Sequence, residues 1–295
     1  MPNFFARKVI FMEKNILQWF PGHMKRAQRL IQENLPLVDI VIELLDARIP
    51  FSSQNPMLQE IIQDKPRIIA LNKADLADKN KTDAWIRFFQ EKNLQAVAID
   101  AVRGKGIKNL VNISKILSES KTHKLVKHGA KPRNARIMIV GIPNVGKSSL
   151  INRLAGANHV KIENKPGITR AKQWIKIAEG LDLLDMPGIL LPKFDNAEIT
   201  QKLSWTNAIS DEIHDLDITT CKLLEFLAEN FPVGLIERYK LPLPLSNDGN
   251  FLLNQIGLKR SCIRKGGVLD EEKVIRLVLS DFREGKLGKI TLDDI

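Results

Sequence analysis

Lys147 and Ser148 stand directly behind two glycines, Gly141 and Gly146, in the stretch GIPNVGKS. This is the G-x-x-x-x-G-K-S spacing of a phosphate-binding loop, and its chemistry follows from the residue types. The glycines let the backbone wrap closely, so N–H groups from Asn144 through Val145, Gly146, Lys147 and Ser148 to Ser149 can point at phosphate oxygens. The Lys147 ammonium would lie between the β- and γ-phosphates as a catalytic charge, and the Ser148 hydroxyl would ligate Mg²⁺. An apolar run, RIMIV (136–140), precedes the loop and a helix-like stretch, SLINRLAG (149–156), follows it. That strand–loop–helix setting separates the reading from a chance glycine turn and adds the positive end of a helix to the cradle.

Two weaker signals lie downstream. DMPG (185–188) follows another apolar run, about forty residues beyond the loop. Asp185 can reach Mg²⁺ through water, and the Gly188 N–H can meet the γ-phosphate, although an ordinary turn would read the same way. PGITR (166–170) lies between, with Thr169 as the candidate threonine that closes over Mg²⁺. A different chemistry stands upstream, in LNKAD (71–75). Guanine offers two donors, N1–H and the N2 amine, and Asp75 has two carboxylate oxygens to meet them. Adenine would set a lone pair against that carboxylate. Asn72 can brace the loop and touch the base, the Lys73 stem can lie along the ring, and Ala74 spaces the two ends. A second base-side loop belongs at IDAVRGKG (99–106), where Ser-Ala is common but Asp100-Ala101 stands here. A backbone N–H for guanine O6 survives that change; the side-chain role does not follow.

These loops need a frame. Apolar, β-rich runs recur at 38–45, 67–71, 96–99, 136–140, 174–178 and 181–185, with helix-like stretches at 55–64, 82–92 and 105–118. The alternation predicts an α/β fold, a mostly parallel sheet with helices on both faces. Ligands of such sheets sit at the carboxyl ends of the strands, so loops may be shuffled in chain order and still share one pocket. Beyond about residue 195 only helical spacing remains, in AEITQKLSWTNAI, LDITTCKLLEFLAEN and EEKVIRLVLSDFREG. The expected division is a nucleotide-binding domain over 1–194 and an all-helical, RNA- or ribosome-binding domain over 195–295. The phosphate switch at DMPG then runs straight into the helical part, so γ-phosphate contacts at Thr169 and Gly188 would set its position.

Composition narrows the partners. The 295 residues carry a net charge of +11 and a pI near 9.6, a balance that favours polyanion contact. Ten Lys/Arg against one Glu between Arg103 and Arg136 fit either that role or a solvated face. Lys259, Arg260, Arg264 and Lys265 add a second basic group, set among acids. No apolar run is long enough to span a bilayer, and no long amphipathic helix with a basic face argues for a membrane surface. Cys221 and Cys262, the only cysteines, have no metal-ligand spacing and favour a reducing compartment. The N-terminus lacks a secretory pattern, while an organelle presequence or a start at Met12 stays open.

The order NKAD, GIPNVGKSS, PGITR, DMPG, preceded by QWFPGHM (18–24) and DARIP (46–50), resembles that of the circularly permuted GTPases of the YlqF type. The resemblance runs from Gln18 to the C-terminal helices. It implies GTP/GDP with Mg²⁺, and a protein acting on the immature large ribosomal subunit and its rRNA, where hydrolysis is stimulated. Ile189 stands where many GTPases carry a water-orienting glutamine, and an isoleucine cannot hold water by hydrogen bonds. The family assigns that task to a histidine, here His23, which could equally be a packing residue after a Pro-Gly turn. Asn144 matches asparagines that help hold K⁺ beside the phosphates in related GTPases, or it satisfies local N–H groups. The expectation is a monomeric, cytoplasmic GTPase binding rRNA and ribosomal proteins. The alternatives are a GTP-dependent RNA-binding module with negligible hydrolysis, and the equivalent GTPase of an organelle ribosome.

Overall fold

The computed structural model describes residues 21–62, 65–127, 133–156, 174–184, 196–212 and 214–295. Helix α1 (Pro21–Asn34) leads into β1 (Ile40–Asp46), α2 (Pro56–Ile62), β2 (Arg67–Asn72), α3 (Lys79–Glu91) and β3 (Gln95–Ala98). Then come α4 (Ile107–Lys127), β4 (Ala135–Val140), α5 (Lys147–Ala155), β5 (Trp174–Ala178) and β6 (Leu181–Leu184). The basic segment therefore begins as a helix, α4, that runs well past the expected stop at 118.

The six strands form one sheet in the order β3-β2-β1-β4-β6-β5. All neighbours are parallel except β5, which pairs antiparallel with β6. Only Glu179 and Gly180 separate those two strands, too few residues for a crossover, so a hairpin is the sole outcome. Every residue of β1 is buried, as a central parallel strand requires. Ile40, Ile42 and Leu44 face Leu110 of α4 and Leu150 of α5. On the opposite face Val41 meets Leu58 and Ile61 of α2, and Leu45 meets Trp85 and Phe89 of α3. The period of two along one strand thus feeds one apolar cluster on one face of the sheet and two on the other.

Strand order reverses between β1 and β4, which opens a crevice at the carboxyl edge there. Asp46 and Asn72 end β1 and β2 side by side in register, Asp100 lies just beyond β3, and Gly141 just beyond β4. The candidate loops therefore converge on one edge, whatever their order in the chain.

Among the described residues five helices follow, α6 (Ala197–Trp205), α7 (Leu216–Asn230), α8 (Pro232–Tyr239), α9 (Gly249–Lys259) and α10 (Glu271–Arg283). Asn196, Asp215, Asp248 and Asp270 cap four of them by accepting first-turn N–H groups. Their buried faces, including Leu203, Leu224, Ile256 and Val278, belong to the same apolar cluster as the α4/α5 face of the sheet. After α10 the chain returns to the carboxyl edge. The Ile290 and Leu292 N–H groups donate to the carbonyls of Leu76 and Arg48 at 3.1 and 2.7 Å. Asp293 accepts from the Phe51 and Ser52 N–H groups at 2.8 Å each and pairs with Lys202 at 3.1 Å. This tail ties the helical part to the loops after β1 and β2.

Candidate nucleotide site

The phosphate loop turns on Gly146, which caps α5 with a left-handed φ of 100°. A Cβ there would lie 2.3 Å from Asn72 Nδ2, so the position admits only glycine. That near-contact reports an interlock. Asn72 donates through Nδ2 to the Val145 carbonyl at 2.7 Å and accepts at Oδ1 from the Ala101 N–H at 3.0 Å. One side chain thereby holds the phosphate loop, the NKAD loop and the loop after β3 together. Bracing, rather than base contact, uses its hydrogen-bonding groups. It also engages the Ala101 N–H, a group the sequence left available for guanine O6.

Lys147 lies in the first turn of α5 and donates to the Gly141 and Ile142 carbonyls at 2.8 and 2.6 Å. Burial pushes its ammonium down to about 8 from the ordinary 10.5. A partly desolvated cation among loop carbonyls is poised to gain from an incoming phosphate. Ser148, exposed, and Ser149, half-buried, share that first turn, and Val145 packs inward.

Lys73 adopts a left-handed φ of 60° and sends its ammonium to two acceptors, Asp46 Oδ2 at 2.9 Å and the Asn144 carbonyl at 2.7 Å. Asp46 is buried, and Arg48 meets both of its oxygens, Nε to Oδ1 at 3.0 Å and Nη2 to Oδ2 at 2.7 Å. Burial alone would raise the Asp46 carboxyl, but Arg48 and then Lys73 outweigh it and hold it far below the usual carboxylate range. Arg48 also reaches the Thr206 and Arg283 carbonyls at 3.4 and 3.3 Å. Asn144, at φ 57°, donates from Nδ2 to the Asn207 carbonyl at 2.7 Å. The phosphate loop therefore meets the α6–α7 turn directly at Asn207, and indirectly at Thr206 through Lys73, Asp46 and Arg48.

Motifs seventy residues apart in sequence thus meet at one edge, and comparison with known proteins says what kind of site this is. A family model described as "50S ribosome-binding GTPase" matches residues 136–230. The ribosome biogenesis GTPase A of Bacillus cereus is 47% identical over 94% of this chain and 94% of its own. The chain belongs to the ribosome biogenesis GTPase A family. Mouse mitochondrial ribosome-associated GTPase 1 is 33% identical, over 95% of this chain and 90% of its own. The crystal structure of GNP-bound YlqF from T. maritima is 28% identical, with a TM-score of 0.61 across 91% of this chain and 97% of that one. A GDP-bound YlqF structure gives 27% and 0.65, across 90% and 98%.

As a ribosome biogenesis GTPase A, the chain is a circularly permuted P-loop GTPase that binds GTP and GDP and hydrolyses GTP. Asp75, the residue expected from the sequence to read guanine, ends the NKAD loop that Asn72 braces and pairs with Arg103 at 2.8 Å. Asp100 faces inward and accepts at Oδ1 from the Val102 and Arg103 N–H groups at 3.0 and 2.8 Å. The side-chain role that the sequence left open is therefore the folding of its own loop. Arg153 of α5 secures the same loop by donating to the Ala101 and Val102 carbonyls. His23 lies in the first turn of α1, with its side chain outside the described residues, as are Thr169, Asp185 and Gly188 entirely. Sequence reasoning missed Arg48, Arg153 and Asn207. DARIP carried the only signal for the first of these.

Proposed function

We propose that this GTPase acts as a nucleotide switch in the late maturation of the large ribosomal subunit. The interlock of Asn72 with Val145 and Ala101 carries the nucleotide part, because it joins base reader and phosphate cradle into one pocket. The partner rests on relatives named for ribosome biogenesis and on the net charge of +11. Within 1–194, Asp75 reads guanine, Lys147 and the N–H groups of 144–149 hold the phosphates, and Thr169 and Gly188 respond to the γ-phosphate. Residues 195–295 form the ribosome-facing unit. Its exposed Lys259 and Arg260 end α9, and Arg264 and Lys265 lead into a turn at Gly266-Gly267 that an Ile263–Leu269 bridge closes. We read this basic stretch as a contact for rRNA phosphates, although Arg260 also stacks on Tyr239 and Arg264 pairs with Asp270.

In this reading the nucleotide is held with two cations, Mg²⁺ and K⁺. Among the described residues no cluster of three His, Cys, Asp or Glu could hold a metal by itself. Mg²⁺ would rest on Ser148, the phosphates, Thr169 and Asp185. Asn144 gives its Nδ2 to Asn207, leaving Oδ1, the atom a K⁺ ion requires. His23 is the candidate for orienting water, since Ile189 cannot. Among the described residues no helix is long and apolar enough to cross a membrane; in this reading the protein is a monomer and works in the cytoplasm.

The test is GTP turnover by the purified protein with immature large subunits, mature large subunits or none. Slow turnover alone, raised by immature particles, is expected. Turnover that particles leave unchanged and negligible would favour the RNA-binding module instead, a reading that Ile189 invites. His23→Ala should remove the stimulated rate and leave GDP binding intact.

A further inference from the structure

The guanine-reading aspartate has a second carboxylate for a neighbour, and one arginine faces both. Arg103 Nη1 lies 2.8 Å from Asp75 Oδ2 and 3.7 Å from Asp100 Oδ2. A serine at position 100 could donate a hydroxyl to Asp75 and hold its carboxylate in one orientation. An ionised aspartate cannot donate at all and adds like charge. The loop is built so that Arg103 supplies the missing donor. Asp100 ties down the Arg103 N–H, Gly104 N–H donates to the Asp100 carbonyl at 2.7 Å, and Arg153 clamps the Ala101 and Val102 carbonyls. The backbone of residue 103 is thus fixed from three directions while its side chain, 73% exposed, reaches across to Asp75, 25% exposed.

We infer that Arg103 is a positioning residue for guanine recognition, pinning the Asp75 carboxylate so that both oxygens present to N1–H and the N2 amine. The geometry allows it, because a carboxylate has about four acceptor positions and Arg103 uses one. The inference rests on the reading of Asp75 as the guanine contact. Its selective signature lies in the N2 amine. Two-point recognition needs a fixed carboxylate plane, whereas a base with N1–H alone can be met by either oxygen.

Calorimetric titration with GDP, IDP and ADP tests this, since IDP lacks the N2 amine. For Arg103→Ala, GDP affinity should fall about two- to fivefold, the scale of an exposed ion pair. The IDP affinity should change less, so the GDP/IDP ratio narrows. Arg103→Lys should recover part of the ratio. An unchanged GDP/IDP ratio in Arg103→Ala would overturn the inference. So would tighter GDP binding, the mark of an arginine that competes with the base. If the parent protein binds GDP and ADP equally, the assignment of Asp75 fails first and the inference falls with it.

Discussion

Removing Arg48 offers a strong test of how the site is joined to the helices. Both Arg48 and Asp46 are only 3% exposed at the side chain, so neither charge can turn to water. Arg48→Met keeps much of the volume but deletes two donors to Asp46 and the contacts to the Thr206 and Arg283 carbonyls. Breaking a buried ion pair by removing one partner costs about 3–5 kcal/mol. Lys73 remains 2.9 Å from Asp46 and keeps that carboxylate half compensated, which places the loss near the lower end, about 3 kcal/mol. With an m-value of about 3 kcal/mol/M, the urea midpoint read from tryptophan fluorescence should drop by ~1 M.

The pH dependence identifies the cause. In the parent, Asp46 has a folded-state pKa below its unfolded value, so it contributes stability above the unfolded value that is lost only as pH falls through the folded one. In Arg48→Met, burial is no longer outweighed and the Asp46 pKa rises. Its carboxyl then takes up a proton in mildly acidic solution, which relieves the unpaired charge. The deficit should therefore be larger at pH 7.5 than at pH 4.5, and Asp46→Asn in the same background should recover part of it. A midpoint shift under ~0.3 M, about 1 kcal/mol at that m-value, or one equal at both pH values, would refute the claim that this pair is a buried, charge-balanced joint.

Other outcomes follow from the same geometry. Because the folded-state Lys147 pKa is about 8 against an ordinary 10.5, the protein without nucleotide should gain stability as pH rises from about 8 to 10, where only the unfolded chain keeps the proton. GDP affinity should fall over the same range as the ammonium is lost, and thermal melts with and without GDP from pH 7 to 10 check both; Lys147→Met should lack the alkaline gain. Gly146→Ala sets a Cβ against Asn72 at a left-handed φ and should weaken GDP binding by about tenfold or more, measured by fluorescent-nucleotide titration. Gly156→Ala shares the positive φ, at 54°, but has nothing within 4 Å of its added Cβ, so it controls for backbone strain and should lose much less GDP affinity than Gly146→Ala. Asn144→Ala should leave GTP turnover equal in K⁺ and Na⁺, whereas the parent should be faster in K⁺.

What could be read in the sequence was what chemistry or periodicity fixes locally. The phosphate loop and NKAD announce themselves because glycine, lysine, asparagine and aspartate must stand at set offsets. Buried strands announce themselves as apolar runs, and their ends agree with the structure within about two residues. The antiparallel β5 was not read but could have been, since two residues between apolar runs at 174–178 and 181–185 leave no room for a crossover. Helices α8 and α9 were harder, because Gly234, Gly249 and Gly257 argue against helix by propensity. They are glycine for packing. A Cβ at 234 would meet the Leu287 carbonyl at 1.9 Å, and one at 249 the Cys221 carbonyl at 2.3 Å.

The joints between motifs were not readable, and the reason is physical. Arg48 finds Thr206 at a separation of 158 residues, and in both Thr206 and Asn207 the acceptor is a backbone carbonyl that no side chain advertises. Asn207 leaves one trace, a left-handed φ of 63° that asparagine tolerates better than most residues. These joints bear on why the inverted order of motifs matters. With the phosphate loop in the second half of the sheet, the chain leaves that half through positions 185–195 and enters the helices directly. The helices then return to the first half through Arg48 and the Asp293 tail, and touch the phosphate loop itself through Asn207 and Asn144. Any shift of Asn144 or Lys73 would act on contacts that the α6–α7 turn shares. The helical part is therefore tied to the NKAD loop and to the phosphate loop by noncovalent contact as well as by chain connection.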